Sequence, residues 1–341
     1  MHRVAAARPL VVSRRIRLED VAAEVGLSRA SVSMVMRGAP GPSADTVERV
    51  LAAADRLGYR PDRAASALAS RRSRMIGVVL EVRSTFHAEL AEEMLAAADR
   101  IGYDLLLGPR TPHRDEARAV ESLLDSRCEA LVLIGTEAPV ERLVALDRQV
   151  PVVTVGRRMP GATLDVVRLD DESGVSGLVR HMVGLGHRRI AYVRGHDAVI
   201  AADREAGYRR AMSEAGLEPH VVAGGKDAED GVASARSMLA EALPTAVLLF
   251  NDQAAIGFMS ELARAGVDVP AQVSVAGFDD SPLARLGPVA LTTVHQDVPG
   301  LTRHTLELIG ERLDGGRSAR REVVITPEVV VRASTAEVAG I

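Results

Sequence analysis

The apolar residues near the start of the chain recur with helical spacing. Val21 and Val25 stand about one turn apart, which predicts an apolar stripe on a first short helix. Gly26 suits the left-handed residue that closes a helix, and Ser28 is a good N-cap for the next one. Residues 17–37 therefore predict two short helices around a glycine turn.

The predicted second helix has an apolar side and a more polar side. Its inward residues are spaced three and four apart: Val32, Val35 and Met36. Its capping, first-turn and outward residues are mostly short side chains and arginines: Ser28, Arg29, Ala30, Ser31, Ser33, Met34 and Arg37. A helix-turn-helix inserts the start of its second helix into the major groove of DNA, so we expect this second set to bind DNA. An ordinary helical hairpin is the alternative that this stretch leaves open.

A third helix is predicted to follow. Ser43 can cap its start, and Gly58 can end it before Tyr59. Its apolar positions keep helical spacing: Val47, Val50, Leu51, Ala54 and Leu57. The N-terminal part of the chain therefore predicts a small all-α head.

From Met75 onward, short apolar runs alternate with helical patterns. Runs such as MIGVVL, ALVLIG, TAVLLF and REVVIT are nearly continuous in apolar residues, which is typical of buried parallel strands. So many strand–helix units in about 260 residues predict two doubly wound lobes, because one open sheet of that size would be unusual. The predicted fold class is multidomain, with an all-α helix-turn-helix head and a two-lobed α/β body built on parallel sheets.

Three stretches of the chain form a specific combination: DVAAEVGLSRASVSMVMRG, VERVLAAADRLGYRPDRAASALA and IGVVL. Together they resemble the lactose-repressor (LacI/GalR) family of bacterial transcription regulators. The resemblance implies a periplasmic-binding-protein-like body, with the chain crossing between lobes near residues 160, 292 and 324. We expect a loose arm over 1–15, the head over 16–60, a hinge over 61–74, the body over 75–333 and a tail over 334–341.

The resemblance also gives the hinge a role in DNA binding. In the family this segment is a helix that orders on operator DNA, where paired hinge helices enter the minor groove and a leucine wedges open the central base step. Leu68 falls on the position of that leucine, with Ala64 and Ala65 on the groove-facing side, and we expect Arg63 near phosphate. Such a wedge costs a few kcal/mol of unstacking, which the contacts of the bent DNA offset. A flexible linker between domains is the alternative.

Charge is unevenly distributed along the chain. Residues 1–75 contain 14 Arg against 7 Asp or Glu, whereas the remainder contains 28 basic and 39 acidic residues. A basic head on an acidic body predicts a polyanionic partner for the head alone.

Other features of the sequence bear on its location. The single cysteine, Cys128, cannot form an internal disulfide, which suits a reducing cytoplasm. No run approaches the roughly 20 apolar residues that span a bilayer, and the N-terminal apolar runs are too short for a signal peptide. We therefore expect a cytoplasmic protein with no membrane partner.

Polar residues follow the predicted strands of the body, where open α/β sheets bind ligands. Matched to the family residue by residue, four of them occupy effector-contacting positions: Arg204, Asn251, Asp279 and Gln296. The full set of expected effector-binding residues also includes His87, Arg157 and Lys226. Each residue taken singly could instead be a loop cap or a surface ion pair. We expect Arg204 and Asp279 to stay hydrated without the effector, because an unpaired buried charge is costly.

Two departures from the family pattern bear on the effector. His87 ends a Ser-Thr-Phe-His run where the family usually has Asn-Pro-Phe-Phe, so an imidazole replaces an aromatic ring. Lys226, the only lysine of the chain, lies in a loop that often supplies an aromatic contact. These replacements favour a polar or anionic effector over one held by ring stacking, although a loop lysine is more often simply solvated.

Two other classes of protein compete with a regulator. Adjacent acid pairs such as Asp170 and Asp171 point in different directions, and no Ser-His-Asp or metal-spaced set is evident, so we expect no enzyme, no cofactor and no metal. A transport-type solute-binding protein would share the body but would need a signal peptide and no basic head. We therefore expect a homodimeric repressor that binds a palindromic operator in double-stranded DNA and takes a small polar effector in its cleft.

Overall fold

The computed structural model describes residues 16–36, 38–60, 72–159, 161, 164–196, 199–315 and 319–338. The expected arm over 1–15 lies outside the described residues, as do five expected DNA-binding residues: Arg37, Arg63, Ala64, Ala65 and Leu68. The chain divides into two compact units, the first ending at Ser73 and the second beginning at Arg74. The first contains the head and the second is the body.

Three short helices form the head: α1 (Leu18–Val25), α2 (Arg29–Met36) and α3 (Ala44–Leu57). Left-handed glycines end α1 and α3 as predicted, with φ of 68° at Gly26 and 66° at Gly58. Ser43 caps α3 by accepting a hydrogen bond from the Thr46 N–H at 3.3 Å. The predicted ends of α1 and α3 and the predicted cap of α3 are confirmed, because they depend on local capping chemistry.

The core of the head is built from small apolar residues. Its buried members are Val21, Ala22, Val25, Val32, Val35, Val50, Ala53 and Ala54. The expectation that Leu51 faces this core is wrong, because its side chain is 49% exposed. The buried face of α3 is formed by Val50, Ala53 and Ala54, and Leu51 lies outside that face.

The body alternates strands and helices as predicted. Its strands are β1 (Met75–Glu81), β2 (Asp104–Arg110), β3 (Ala130–Ile134), β4 (Val152–Val155), β5 (Asp165–Leu169), β6 (Ile190–Val193), β7 (His220–Val222), β8 (Ala246–Leu249), β9 (Ser274–Ala276), β10 (Thr293–His295), β11 (Glu322–Ile325) and β12 (Glu328–Val330). Its helices are α4 (Thr85–Arg100), α5 (Glu116–Asp125), α6 (Val140–Asp147), α7 (Asp171–Gly184), α8 (Val199–Glu214), α9 (Ala228–Ala240), α10 (Asp252–Arg264) and α11 (Val298–Leu313).

Two parallel sheets define two lobes. The first sheet has the strand order β11-β5-β4-β3-β1-β2, and the second has the order β7-β6-β8-β9. Helices α4 and α11 cover one face of the first sheet, and α5 and α6 cover the other. In the second lobe, α7 and α8 lie on one face and α9 and α10 on the other. Covering both faces of a parallel sheet explains why its strands read as unbroken apolar runs.

Between the described strands and helices, the chain crosses from one lobe to the other three times. The expected first crossing near residue 160 is wrong, because β5 still pairs with β4 in the first sheet, and the chain leaves only after Leu169. The second crossing follows β10, which pairs with β12 beside the second lobe, and therefore lies at Gln296 and Asp297. The third lies between β11 and β12. All three crossings are placed by strand pairing rather than by local sequence.

The residues expected to form a tail lie against the second lobe. The Ser334 carbonyl accepts a hydrogen bond from the Val275 N–H at 2.9 Å, and the Ser334 Oγ donates to the Val275 carbonyl at 2.6 Å. Farther along, the Val338 N–H donates to the Leu185 carbonyl at 3.0 Å. Residues 334–338 thus extend the second lobe beside β9.

Candidate DNA-binding helix and ligand-binding cleft

Helix α2 has the two sides that its sequence predicts. Val32 and Val35 are buried, whereas Arg29, Ala30 and Met34 are exposed. Ser31 and Ser33 lie between these extremes. The exposed side therefore offers a guanidinium, small side chains and a thioether, a mixture that suits the major groove, where polar base edges alternate with thymine methyl groups.

The start of α2 is fixed by its own serines. The Ser28 Oγ accepts a hydrogen bond from the Ser31 N–H at 3.1 Å, and the two hydroxyl oxygens lie 2.9 Å apart. The Arg29 Nε is 3.0 Å from the Glu19 carboxylate, and both side chains are exposed. An exposed ion pair contributes about 0–1 kcal/mol, so Arg29 can exchange Glu19 for a phosphate or a base at little cost.

A cleft of about 710 Å³ lies between the two lobes of the body. It is lined by residues that follow the carboxyl ends of strands in both sheets, which is the position where open α/β sheets bind ligands. All seven expected effector-binding residues line it: His87, Arg157, Arg204, Lys226, Asn251, Asp279 and Gln296. The geometry of each can therefore be compared with its expected role.

Arg204 is the most heavily bonded of these side chains. Its Nε donates to the Asp171 carboxylate at 2.7 Å, and its Nη1 donates to the Phe250 carbonyl at 2.6 Å. Its guanidinium also lies 3.5 Å from the centre of the Phe278 ring. The expectation that Arg204 stays hydrated without the effector is wrong, because the residue is 5% exposed and its charge is paired inside the protein.

Asp171 is the functional partner that sequence reasoning missed. It is the first residue of α7, and the preceding Asp170 caps that helix by accepting from the Ser173 N–H at 3.2 Å. The two adjacent carboxyls therefore point to different partners, as expected. Burial raises the pKa of Asp171, and the Arg204 guanidinium opposes that rise. The only sequence signal was its place just after a strand end.

Asp279 follows β9 in the second lobe and contacts Gln296, where the chain makes its second crossing between the lobes. Its Oδ1 accepts from the Gln296 Nε2 at 2.7 Å and lies 3.8 Å from an Arg204 nitrogen. Burial raises the pKa of Asp279 to about 8, an effect that Arg204 opposes and Asp252 reinforces. Its backbone φ of 119° is rare for a residue with a side chain, and such strain is concentrated at functional sites.

His87 is a neutral hydrogen-bond donor. Its Nδ1 accepts from the Glu81 N–H at 3.0 Å, so the proton of the neutral ring lies on Nε2. Burial lowers the pKa of His87 to about 3, and the nearby Arg110 and Lys226 lower it further. His87 therefore replaces the aromatic ring of the family pattern with a directional N–H group.

Asn251 and Lys226 are joined by a hydrogen bond. The Asn251 Oδ1 caps α10 by accepting from the Ala254 N–H, and its Nδ2 donates to the Lys226 carbonyl, both at 2.9 Å. The Lys226 Nζ lies 2.5 Å from the Glu81 carboxylate at the end of β1, on the opposite lobe. The loop lysine is therefore held across the cleft rather than simply solvated.

Two more ion pairs join the lobes. Arg158, which follows β4, lies 2.8 Å from Asp203 on α8. Arg285, which follows β9, lies 3.2 Å from Glu89 on α4. Together with Glu81 and Lys226, these residues hold the cleft closed through pairs that are partly exposed. Each such pair is weak, so the closed arrangement can open at modest cost.

Four side chains form a connected network on the wall of the first lobe. The Arg110 Nη1 lies 3.3 Å from one Glu116 oxygen, and the Thr136 hydroxyl donates to the other at 2.5 Å. The Arg157 Nη1 donates to the carbonyls of Ala138 at 2.6 Å and Thr136 at 3.4 Å. Sequence reasoning missed Arg110 and Glu116, which follow the second strand on a segment with no recognisable motif.

In the described ranges, no three His, Cys, Asp or Glu residues lie close enough together to hold a metal ion. Every helix there also falls short of the length and apolarity needed to cross a bilayer.

The fold and the cleft define a two-lobed, periplasmic-binding-protein-like body in a chain that also has a three-helix head. Residues 17–62 match the model of the bacterial regulatory proteins of the lacI family, and residues 179–335 match a periplasmic binding protein-like domain. The HTH-type transcriptional regulator MalR of Streptomyces coelicolor is 34% identical over 340 residues, which cover 95% of this chain and 98% of the relative. The chain belongs to the LacI/GalR family of bacterial transcriptional regulators.

Other relatives and solved structures agree. The HTH-type transcriptional regulator GalR of Escherichia coli is 32% identical, covering 93% of this chain and 95% of the relative. A lac repressor dimer bound to operator and the anti-inducer ONPF is 28% identical with a TM-score of 0.83, covering 95% of this chain and all of that one. A complex of the regulator CelR with cellobiose is 28% identical with a TM-score of 0.70, covering 94% of this chain and all of that one. The predicted fold class and family are confirmed.

Proposed function

We propose that this protein is a repressor that binds a palindromic operator as a homodimer and releases it, or holds it, according to a small ligand in the cleft. One observation supports this proposal above the others. The same chain contains a helix-turn-helix head and a two-lobed body whose cleft is lined by polar side chains from both lobes. A head that binds DNA and a body that binds a ligand are the two sites that control by a ligand requires.

The head supports DNA binding through its charge and the exposed side of α2. Residues 1–75 have twice as many arginines as acidic residues, which favours a polyanion. Arg29 and Met34 are exposed on α2, and Arg29 is held only by a surface ion pair. Three helices bury too little surface for tight, specific binding by one head, so two heads on a palindrome are expected.

An apolar patch on the first lobe supports dimerisation. Leu107 is 43% exposed on β2, the edge strand of the first sheet. By strand alternation it lies on the same face as Leu105, which packs against the core beneath α4. Leu95 and Ile101, on and just after α4, are also exposed. Large apolar side chains left exposed on an edge strand and on the helix that covers the same sheet favour a protein–protein interface.

The inner part of the cleft suits a ligand with several hydroxyl groups. His87 offers an N–H donor, Asn251 and Gln296 offer amides, and Asp279 offers a carboxyl oxygen. Hydroxyl groups both donate and accept, so they can satisfy a mixed set of this kind. The relative solved with cellobiose has a ligand of this class. We propose a sugar or sugar derivative as the ligand.

The ion pairs across the cleft provide the coupling. A ligand that binds both lobes changes the balance between closed and open arrangements only through contacts that differ between them. Through the hinge over 61–74, that balance would change the DNA affinity of the heads. Reciprocity then requires that operator DNA change the ligand affinity by the same factor.

A deletion separates this proposal from a transport-type solute-binding protein and from an enzyme. Removing residues 1–73 leaves the body, which begins as a compact unit at Arg74. We expect the full chain to retain an operator fragment selected from random DNA, and the deletion variant to lose DNA binding while keeping ligand affinity. Equal DNA binding by both proteins would contradict the proposal, and so would turnover of the ligand by either. The proposed location is the cytoplasm, where operator DNA is found.

A further inference from the structure

The first-lobe wall of the cleft contains more positive charge than it neutralises. Five arginines from this lobe line the cleft: Arg83 is exposed just after β1, and the other four, called the arginine wall, are Arg110, Arg114, Arg142 and Arg157. In the part of the chain that the structure describes, Glu116 is the one carboxylate in an ion pair with them, and it pairs with Arg110 alone at 3.3 Å.

Arg157 is the member whose environment is hardest to explain without a ligand. It is 8% exposed, and its hydrogen bonds go to the uncharged carbonyls of Thr136 and Ala138. Its Nε is buried without a hydrogen-bond partner among the described residues. A buried guanidinium that faces no carboxylate loses hydration without a compensating charge, which costs several kcal/mol.

Two other members of the arginine wall also have a nitrogen atom that lacks a partner. The Nε atoms of Arg110 and Arg114 are also buried without partners in the described ranges. The Arg114 Nη2 donates to the Ser122 hydroxyl at 2.8 Å, again a neutral partner. Arg142 is exposed on α6 at the rim of the cleft and has no ion pair in the described residues.

The remaining acids on this wall do not supply the missing charge. Asp115 caps α5 by accepting from the Arg118 N–H at 2.8 Å, and Glu137 is exposed and makes no ion pair with any described arginine. Glu81 is held by Lys226 from the opposite lobe. Of the two most enclosed guanidiniums of the wall, Arg157 is buried and Arg110 is half-buried, and the single carboxylate of Glu116 pairs with Arg110 only.

From this arrangement we infer that the arginine wall is a subsite for an anionic group of the ligand, a phosphoryl or carboxylate group, and that the ligand is a sugar phosphate or a sugar acid. The hydroxyl groups of such a ligand bind the inner residues of the cleft, and its anion faces Arg157. Guanidinium groups suit either anion because their N–H groups bind two oxygens at once. This inference rests on the proposed function, since it assigns a chemical class to the same cleft.

Inorganic phosphate tests the subsite without knowledge of the sugar. Thermal unfolding of the full chain is measured in phosphate and in chloride at matched ionic strength, for the parent protein and for Arg157→Gln. We expect phosphate to raise the melting temperature of the parent more than that of the variant. Phosphate bound by the basic head affects both proteins equally, so the difference reports the wall. Equal shifts in both proteins, or no shift in either, would overturn the inference.

Further variants keep the test decisive if Arg157→Gln does not fold. Arg157→Lys keeps the charge but loses the fork of donors, and Arg142→Gln changes an exposed residue that does not support the fold. We expect each to weaken phosphate binding by roughly two- to fivefold. Arg148→Gln, an exposed residue of the same lobe that does not line the cleft, is the matched control and should change nothing. Loss of phosphate binding in the control would remove the wall as its cause.

A second arm identifies the ligand class. Glucose, glucose 6-phosphate and gluconate are compared by calorimetry, together with the corresponding compounds of galactose. We expect an anionic compound to bind about tenfold or more tightly than its neutral parent, a difference of about 1.4 kcal/mol, and Arg157→Gln to remove that preference. Neutral sugars that bind as tightly as their anions would overturn the subsite and leave the proposed cleft intact. Ligand binding that persists after Arg204→Met and Asn251→Ala would instead contradict the cleft itself.

Discussion

The ion pair between Arg204 and Asp171 is expected to support the stability of the body as well as the cleft. Both side chains are almost fully buried, and the Arg204 Nε lies 2.7 Å from the Asp171 Oδ1. Replacing Arg204 by Met keeps much of its volume but leaves the Asp171 carboxylate buried without its partner. Breaking a buried pair from one side costs about 3–5 kcal/mol, because the remaining charge is uncompensated.

This cost should appear as a large loss of thermal stability. For a unit of this size, 1 kcal/mol corresponds to about 2–4 °C in the melting temperature, so Arg204→Met should lower it by roughly 6–20 °C. Arg209→Met is the matched control, because Arg209 is an exposed residue of the same helix whose guanidinium pairs with Glu205 at the surface. The control should change the free energy of unfolding by less than about 0.5 kcal/mol.

The loss should also depend on pH in a defined direction. Burial raises the pKa of Asp171, and removing Arg204 removes the main effect that opposes this rise. A carboxyl whose pKa is higher in the folded state favours folding most below its unfolded pKa, and that contribution is lost as pH rises through the folded value. Arg204→Met should therefore be less destabilised at about pH 5 than at about pH 8.

Urea unfolding of the full chain at several pH values, followed by circular dichroism, measures these effects. Asp171→Asn in the Arg204→Met background removes the stranded charge and should recover about half or more of the lost stability. A single variant as stable as the parent at every pH would refute this account of Arg204. A loss equal in Arg209→Met would show that the effect is not specific to the buried pair.

Three other predictions concern the ion pair between Glu81 and Lys226, the Ser28 cap of α2 and the titration of Asp279. Glu81→Lys and Lys226→Glu should each weaken ligand binding by about two- to fivefold in calorimetry, and combining the two substitutions should restore it. A double variant that binds the ligand more weakly than either single variant would exclude an ion pair across the cleft. Ser28→Ala should destabilise the head by about 0.5–2 kcal/mol in thermal unfolding, and Ser28→Thr, which keeps the hydroxyl, should not; equal losses would mean that the cap contributes nothing. The pKa of Asp279 is raised to about 8, so its favourable contribution to folding is lost as pH rises from about 4 through about 8. Asp279→Asn should therefore flatten the plot of unfolding free energy against pH over that range. Parallel plots for parent and variant would contradict the raised pKa.

The features that the sequence predicted well are those that depend on local chemistry. Gly26, Gly58 and Ser43 end or cap their helices as expected, because these roles follow from backbone conformation and neighbouring N–H groups. Part of the lining of the cleft was also predictable, since the carboxyl ends of parallel strands meet at one edge of a sheet. All the residues expected there from the family pattern line it.

The features that the sequence did not predict depend on distant partners. Asp171 and Arg204 are 33 residues apart, so nothing near either one shows that they form a buried pair. The position of the first crossing required knowledge that β5 pairs with β4. Leu51 has helical spacing with the core residues, but the buried face of α3 is formed by Val50, Ala53 and Ala54. In each case tertiary packing, and not the local sequence pattern, determines where the residue or crossing lies.

We propose that a ligand in the cleft and operator DNA on the heads bind to coupled sites of one protein. Two pairs of titrations with the full chain measure this coupling: operator affinity with and without a ligand found by thermal-shift screening, and ligand affinity with and without the operator. The two affinities should change by the same factor, within the range of about 5- to 150-fold that coupled sites show. A ligand that binds the cleft and leaves operator affinity unchanged would contradict the coupling.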